Sequence, residues 1–118
     1  MTGQEIWLNR TVKQIPSSAG VILQPADLAA DSLTCTAILL CNTSASTVTV
    51  DIYLVPNSSG SVGTATTADK IIDTLSIEAH DTVIWNDSPL PLIEKGDSIQ
   101  AGASANNVVN IKLFGLAY

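Results

Sequence analysis

The sequence is short of charge, aromatic rings, cysteine and histidine, and each shortage excludes something. Charged residues make up 14% of the 118 positions, against about 25% in an average soluble protein. The five basic residues, Arg10, Lys13, Lys70, Lys95 and Lys112, are scattered, and the net charge is −6. Phosphate contacts need clustered Lys and Arg, so nucleic acid is not expected as a partner. Aromatics are 4% of the chain. A sandwich this poor in rings is a weak candidate for a sugar subsite, and hydrolysis would need two carboxylates facing across a cleft. The two cysteines, Cys35 and Cys41, lie in one expected strand. At ~3.3 Å per residue they are roughly 20 Å apart, beyond disulfide reach, and are expected as small buried residues on one face. No apolar run reaches the length of a membrane span, and MTGQEIWLNR has none of signal-peptide type. The expectation is a soluble chain made in a cytoplasm, with no membrane partner.

Reactive constellations are missing too. His80, the single histidine, sits between Ala79 and Asp81 in an expected tight turn. A catalytic histidine needs a nucleophile and an orienting acid, and the exposed-turn reading is preferred. Asp81, Asp87, Glu94 and Asp97 fall near turns and offer hard oxygen ligands, but no D-x-D-x-D-G loop is present. There is no Walker loop, G-x-G-x-x-G, G-x-S-x-G or zinc spacing. No catalytic, cofactor-binding or metal-binding residue is assigned, and the chain is not expected to be an enzyme.

What is present is an apolar share of 46% and 24 Ser and Thr residues. That composition suits one globular domain whose solubility rests on hydroxyls and amides. The most apolar stretch, Leu33 to Val55, reads as a β-hairpin turning at Asn42 to Ala45. In its first arm Cys35, Ala37, Leu39 and Cys41 share one face; Thr34, Thr36, Ile38 and Leu40 share the other. Both faces are largely apolar, which predicts a central strand covered on both sides. In the second arm Val48, Val50, Ile52 and Leu54 face inward, with Thr47, Thr49, Asp51 and Tyr53 outward. Further hairpins are expected at 71–85 and 99–113, and residues 56–68, built of small residues, read as the longest and most mobile loop. On the last strand Val109, Ile111 and Leu113 alternate inward, opposite Phe114, Leu116 and Tyr118. About eight short strands with turns every eight to twelve residues predict an all-β, antiparallel β-sandwich of jelly-roll type.

Residues 1–32 read as an N-terminal arm and connection ahead of a 33–118 β-sandwich domain. Residues 1–13 carry a net +1 and the remainder −7. Two readings stay open: an arm that reaches a neighbouring subunit, or an edge strand of the same domain. The arm reading predicts that the body stays folded without residues 1–15. Trp7 breaks the phase of its strand and is the better interface candidate of the two indoles. Candidate interface residues are Trp7, Leu8, Arg10, Phe114, Leu116 and Tyr118.

Three pieces, TAILLCNTSASTVTVDIYLVP (36–56), LSIEAHDTVIW (75–85) and PLPLIEKGDSIQAGAS with VVNIKLFGLAY (89–104, 108–118), cover about two-thirds of the chain. Together they resemble small virion proteins of tailed bacteriophages. The resemblance implies a capsid decoration (cement) protein on the capsid exterior, synthesised in the host cytoplasm. It further implies a homotrimer that binds the major capsid protein. The alternative it allows is a head, neck or tail fibre module contacting the host surface.

Overall fold

The structure, a computed structural model, describes residues 6–8, 13–25, 31–86, 89–92 and 96–117, with the side chains of Ile6 and Trp7 left aside. It is all-β. Ten strands follow in chain order: β1 (Ile6–Trp7), β2 (Lys13–Gln14), β3 (Gly20–Leu23), β4 (Leu33–Asn42), β5 (Val48–Val55), β6 (Lys70–Ile77), β7 (Thr82–Trp85), β8 (Leu90–Leu92), β9 (Ser98–Ala103) and β10 (Val109–Ala117). They form two antiparallel sheets. One has the order β1/β2, β10, β4, β7/β8, the other β3, β9, β5, β6. β1 and β2 lie end to end along β10, and β7 and β8 end to end along β4, so ten strands fill eight positions. Apart from β1 to β2 and β7 to β8, which each stay along one neighbouring strand, the chain crosses between sheets at every connection except β5 to β6, and this order is that of a two-sheet jelly roll.

This topology changes the reading of three hairpins. β4 and β5 belong to different sheets, as do β6 and β7, and β9 and β10. Leu33–Val55 is therefore an arch over the core. Packed sheets lie about 10 Å apart, and the links must span that gap. Strand alternation looks the same whether the next strand pairs beside the first or faces it from the other layer. The inner faces meet in one core that includes Leu33, Ile38 and Leu40 of β4, Val50 and Ile52 of β5, Ile99 of β9 and Ile111 and Leu113 of β10, all about 1% exposed or less.

The described parts of 1–32 are edge strands of the same sandwich, not a separate arm. β1 and β2 pair with β10, and β3 pairs with β9. Leu8, Ile15 and Leu23 are fully buried. A body lacking 1–15 would lose two core side chains and uncover the edge of β10.

β4 departs from strict alternation. Its register with β10 runs Phe114↔Ala37 and then Gly115↔Cys35, leaving Thr36 as an extra residue. The side-chain phase flips there: Leu33 and Cys35 face the core before the bulge, Ile38, Leu40 and Asn42 after it. Cys35 and Cys41 thus lie on opposite faces, Cys35 buried and Cys41 half-buried, contrary to the expected shared face. Ala37, Leu39 and Cys41 are half-buried on the outer side, so the strand is not enclosed on both sides as expected.

One end of the roll is closed by Asn42, which is fully buried. Its Nδ2 donates to the carbonyls of Ser46 (2.8 Å), Ile77 (3.0 Å) and Glu78 (3.2 Å). Its Oδ1 accepts from Ser44 N (3.0 Å) and Ser44 Oγ (2.8 Å). One amide therefore ties the β4–β5 arch to the β6–β7 arch. At the other end, the 56–68 loop is pinned rather than loose. Asp97 Oδ1 accepts from Asn57 N (2.9 Å) and Nδ2 (3.1 Å), and Gln100 Nε2 donates to Gly63 O (2.9 Å). Its tip, Ser58 to Ser61, is a two-residue turn with Ser59 and Gly60 at φ 53° and 82°.

Candidate interaction surface

The outer faces of the two sheets differ in chemistry. On the six-stranded sheet the register lines up four rows. They are Thr82–Cys41–Asn110–Gln14, Ile84–Leu39–Lys112, Ala37–Phe114–Trp7 and Pro91–Thr34–Leu116. Residues opposite each other in an antiparallel pair share a face. An apolar diagonal therefore runs from Ile84 through Leu39, Ala37 and Phe114 to Leu116. Ile84 is 61% exposed, the most exposed large apolar side chain among the described residues. Leu39, Phe114 and Leu116 are half-buried. None of the six strands contains Asp or Glu; their charges are Lys13 and Lys112.

The bulge sets this surface. Without the extra Thr36, residues 37, 39 and 41 would continue the phase of Cys35 into the core. With it, Leu39 and Cys41 turn outward beside Lys112 and Asn110. Thr36 Oγ1 donates to the Phe114 carbonyl (3.2 Å), which ties down the irregular step. Gly115 lies on the partner strand at the same step, and a Cβ there would run into the Thr34 carbonyl.

The four-stranded sheet carries a polar cluster instead. Lys70 Nζ lies 3.0 Å from Asp73 Oδ1, 3.6 Å from Asp51 Oδ2 and 5.9 Å from the Tyr53 ring centre. Asp51 Oδ1 accepts from Thr74 N (2.7 Å), and Asp73 Oδ1 from Thr74 Oγ1 (3.0 Å). The hydrogen bond from Lys70, helped by that from Thr74, holds the Asp73 carboxyl below its usual value; the same bond to Asp73 raises Lys70. Thr74 has φ 54°, left-handed backbone at a β-branched residue. It sits where the β5–β6 register slips, so the cluster clamps a bulged edge strand. Ser98, Gln100 and Gly102 of β9, also on this side, are covered: Gln100 by the 56–68 loop, and Gly102 by the backbone of Ser18 and Ala19.

Of the candidate interface residues, Phe114 and Leu116 are on the outer face of β10. Leu8 is not a surface residue: its N–H donates to the Leu113 carbonyl (2.7 Å) and its side chain is fully buried in the core. For Trp7 only the backbone is described, as register partner of Phe114. Arg10 and Tyr118 lie outside the described residues. Leu39 and Ile84 were not among the sequence candidates. Ile84 is legible from alternation in Thr82–Trp85, whereas Leu39 required the bulge.

Reactive groups are not brought together. His80 is exposed in the 78–81 turn at φ 58°. Asp97 is engaged by Asn57, and Asp87 and Glu94 lie outside the described residues. Among the described residues no three His, Cys, Asp or Glu side chains converge as a metal site would require, and no helix is long and apolar enough to cross a membrane. No known family model matches the chain, and no curated protein matches it.

Proposed function

We propose that this chain is a structural virion protein that decorates and stabilises a bacteriophage capsid by binding its major capsid protein. The observation that carries the reading is the acid-free apolar face of the six-stranded sheet on a rigid jelly roll of net charge −6. Contiguous exposed apolar area on a small domain marks a contact surface. Jelly rolls recur in viral capsid and lectin domains, which supports the reading by analogy of fold. The resemblance of residues 36–56, 75–85 and 89–118 to tailed-phage virion proteins points the same way. In this reading binding is the function: each copy adds buried interface across a joint of the shell and stabilises the assembled state by mass action. The protein sits on the capsid exterior as a homotrimer, after synthesis in the host cytoplasm. It uses no cofactor and carries out no catalysis.

The test is to localise a tagged copy on purified virions by electron microscopy and to measure the free protein's mass in solution. Label over the whole shell and a trimeric mass are expected. Label confined to one vertex would replace this reading with a neck or tail fibre module.

A further inference from the structure

We infer that Lys70 and Asp73, presented on the bulges of β6, guard the longest open strand edge of the sandwich against pairing with a second copy of this chain. The inference stands on the four-stranded sheet and does not depend on the shell-decoration reading.

β6 is the last strand of its sheet, and among the described residues it pairs only with β5. Its other edge carries the outward backbone N–H and C=O groups of an eight-residue strand. The remaining edges are shorter: β3 has four residues, β7 and β8 four and three, and β1 and β2 two each. The sequence of β6, KIIDTLSI, has four Ile or Leu residues and no proline or glycine, and its single Lys and single Asp cancel. Ile71 is 37% exposed. Short segments of that composition pair with copies of themselves where an edge is flat and uncharged. Identical edges on two molecules pair about a two-fold axis, so a second copy is the partner to be kept off.

This edge is neither flat nor uncharged. Five steps along β6, from Lys70 to Leu75, match three along β5, from Tyr53 to Val50. Two residues of β6 are therefore extra: Ile71, and one of the pair Asp73 and Thr74 that together face Asp51. Thr74 takes left-handed backbone at φ 54°, which strains a β-branched residue and which glycine would adopt freely. Asp51 Oδ1 accepts from Thr74 N (2.7 Å), so this N–H is not offered to a neighbouring strand. Asp73, its side chain 68% exposed, stands beside it and is held by Lys70 Nζ at 3.0 Å. A strand laid along β6 would have to desolvate that carboxylate and its lysine, and would meet no continuous ladder. Strained backbone persists where its surroundings over-determine it. Bulges and charges are the devices that keep sheet edges from being extended, and here both fall on the longest one.

The test is sedimentation of full-length chains over a range of concentrations. Lys70→Thr with Asp73→Thr removes both charges, leaves β-forming residues and keeps the net charge; Lys13→Thr with Glu78→Thr does the same elsewhere. Circular dichroism confirms folding of each. The β6 variant is expected to self-associate roughly tenfold or more tightly than the parent, and the control to sediment like the parent. Amide hydrogen exchange within Lys70–Ile77 should slow as concentration rises, in the β6 variant alone. Adding Ser76→Lys, a new charge on the same strand, should restore the parent's behaviour. Asp73→Asn keeps the shape and an acceptor oxygen for Lys70 and Thr74. It should shift association in the same direction, and it carries the test if the double variant does not fold.

Folded β6 variants that sediment like the parent at every concentration would overturn the inference. So would association that leaves the β6 amides exchanging as in the parent, because the contact would then lie elsewhere. A parent whose own β6 amides slow with concentration would also overturn it, since the edge would already be an interface.

Discussion

Replacing Asn42 by alanine should destabilise the protein more than any other single polar substitution among the described residues. The side chain serves three carbonyls and accepts twice from Ser44, and it is fully buried. Alanine removes all of these bonds. The Ile77 carbonyl is the enclosed one, and left without a donor it costs ~1–3 kcal/mol. The other groups are partly reachable by water, so each contributes ~0.5 kcal/mol. The total is about 4 kcal/mol, and at roughly 4 °C per kcal/mol the melting temperature should fall by about 16 °C. Ser44→Ala, at the exposed rim of the same network, should lose under ~1 kcal/mol.

Asn42→Asp tests the geometry separately. It places a carboxylate against three carbonyl oxygens in a dry site, which favours the protonated form and raises its folded pKa above the ~3.9 of the unfolded chain. Such a group contributes its full stability below the unfolded pKa and loses it as pH rises through the folded pKa. The difference in unfolding free energy between Asn42→Asp and the parent should therefore widen from acid to neutral pH. Urea denaturation at several pH values measures both. An Asn42→Ala variant within 1 kcal/mol of the parent, or an Asn42→Asp variant that closes the gap as pH rises, would refute the assignment of Asn42 as the tie between the arches.

Leu8→Ala should cost about 3 kcal/mol by thermal denaturation, and a chain lacking 1–15 should fail to show a cooperative transition, because Leu8 and Ile15 are core residues. Gly115→Ala should prevent soluble expression or cost more than ~3 kcal/mol, since the added methyl meets the Thr34 and Cys35 backbone. Thr74→Gly should raise stability by up to ~1 kcal/mol by relieving left-handed backbone at φ 54°; a fall of that size would show that its hydroxyl bond to Asp73 matters more than the strain. NMR titration should place the Asp73 inflection below the ordinary carboxylate range. Its small, salt-screened contribution should be present above the unfolded carboxyl value and fade as pH falls through the folded one, and Lys70→Met should raise the inflection toward the ordinary range, the Thr74 bond remaining.

Alternation in β5 and β10 was legible because each has one face in the core and one outside. Val48, Val50 and Ile52, and Val109, Ile111 and Leu113, are all buried as their spacing predicts. β4 was legible only up to its bulge. Its sequence is apolar at both phases after Thr36, and Thr36 only repeats the phase of Thr34, so nothing in LTCTAILLC marks where the phase flips. The cue lies on another strand, where Gly115 lets the backbones close up, and pairing across 80 residues is not written into either segment alone. The same limit made arches look like hairpins. The Asn42 side chain bridges the two arches, and its partners Ile77 and Glu78 are 35 and 36 residues away. Local turn chemistry identified Asn42 to Ala45 as a turn but not which layers it joins. The candidate surface is half visible: Phe114 and Leu116 follow from alternation, Leu8, an interface candidate, is a core residue, and Leu39 appears only with the register.

The bulges in β4 and β6 have opposite consequences for the surface. The β6 bulge is filled from within: Asp51 takes the Thr74 N–H, Lys70 spans Asp51 and Asp73, and the charges of that face are spent on one another. The β4 bulge is tied by the Thr36 hydroxyl to the Phe114 carbonyl. It turns Leu39 outward into the register row of Ile84 and Lys112, and it needs a glycine on the neighbouring strand to do so. A regular β4 would send Leu39 into the core and Ile38 and Leu40 outward, so the irregularity decides which apolar side chains this face presents. Bulges that re-aim side chains are found where a sheet meets something else. On that physical ground the acid-free face, more than either loop end of the roll, is where a partner should be sought.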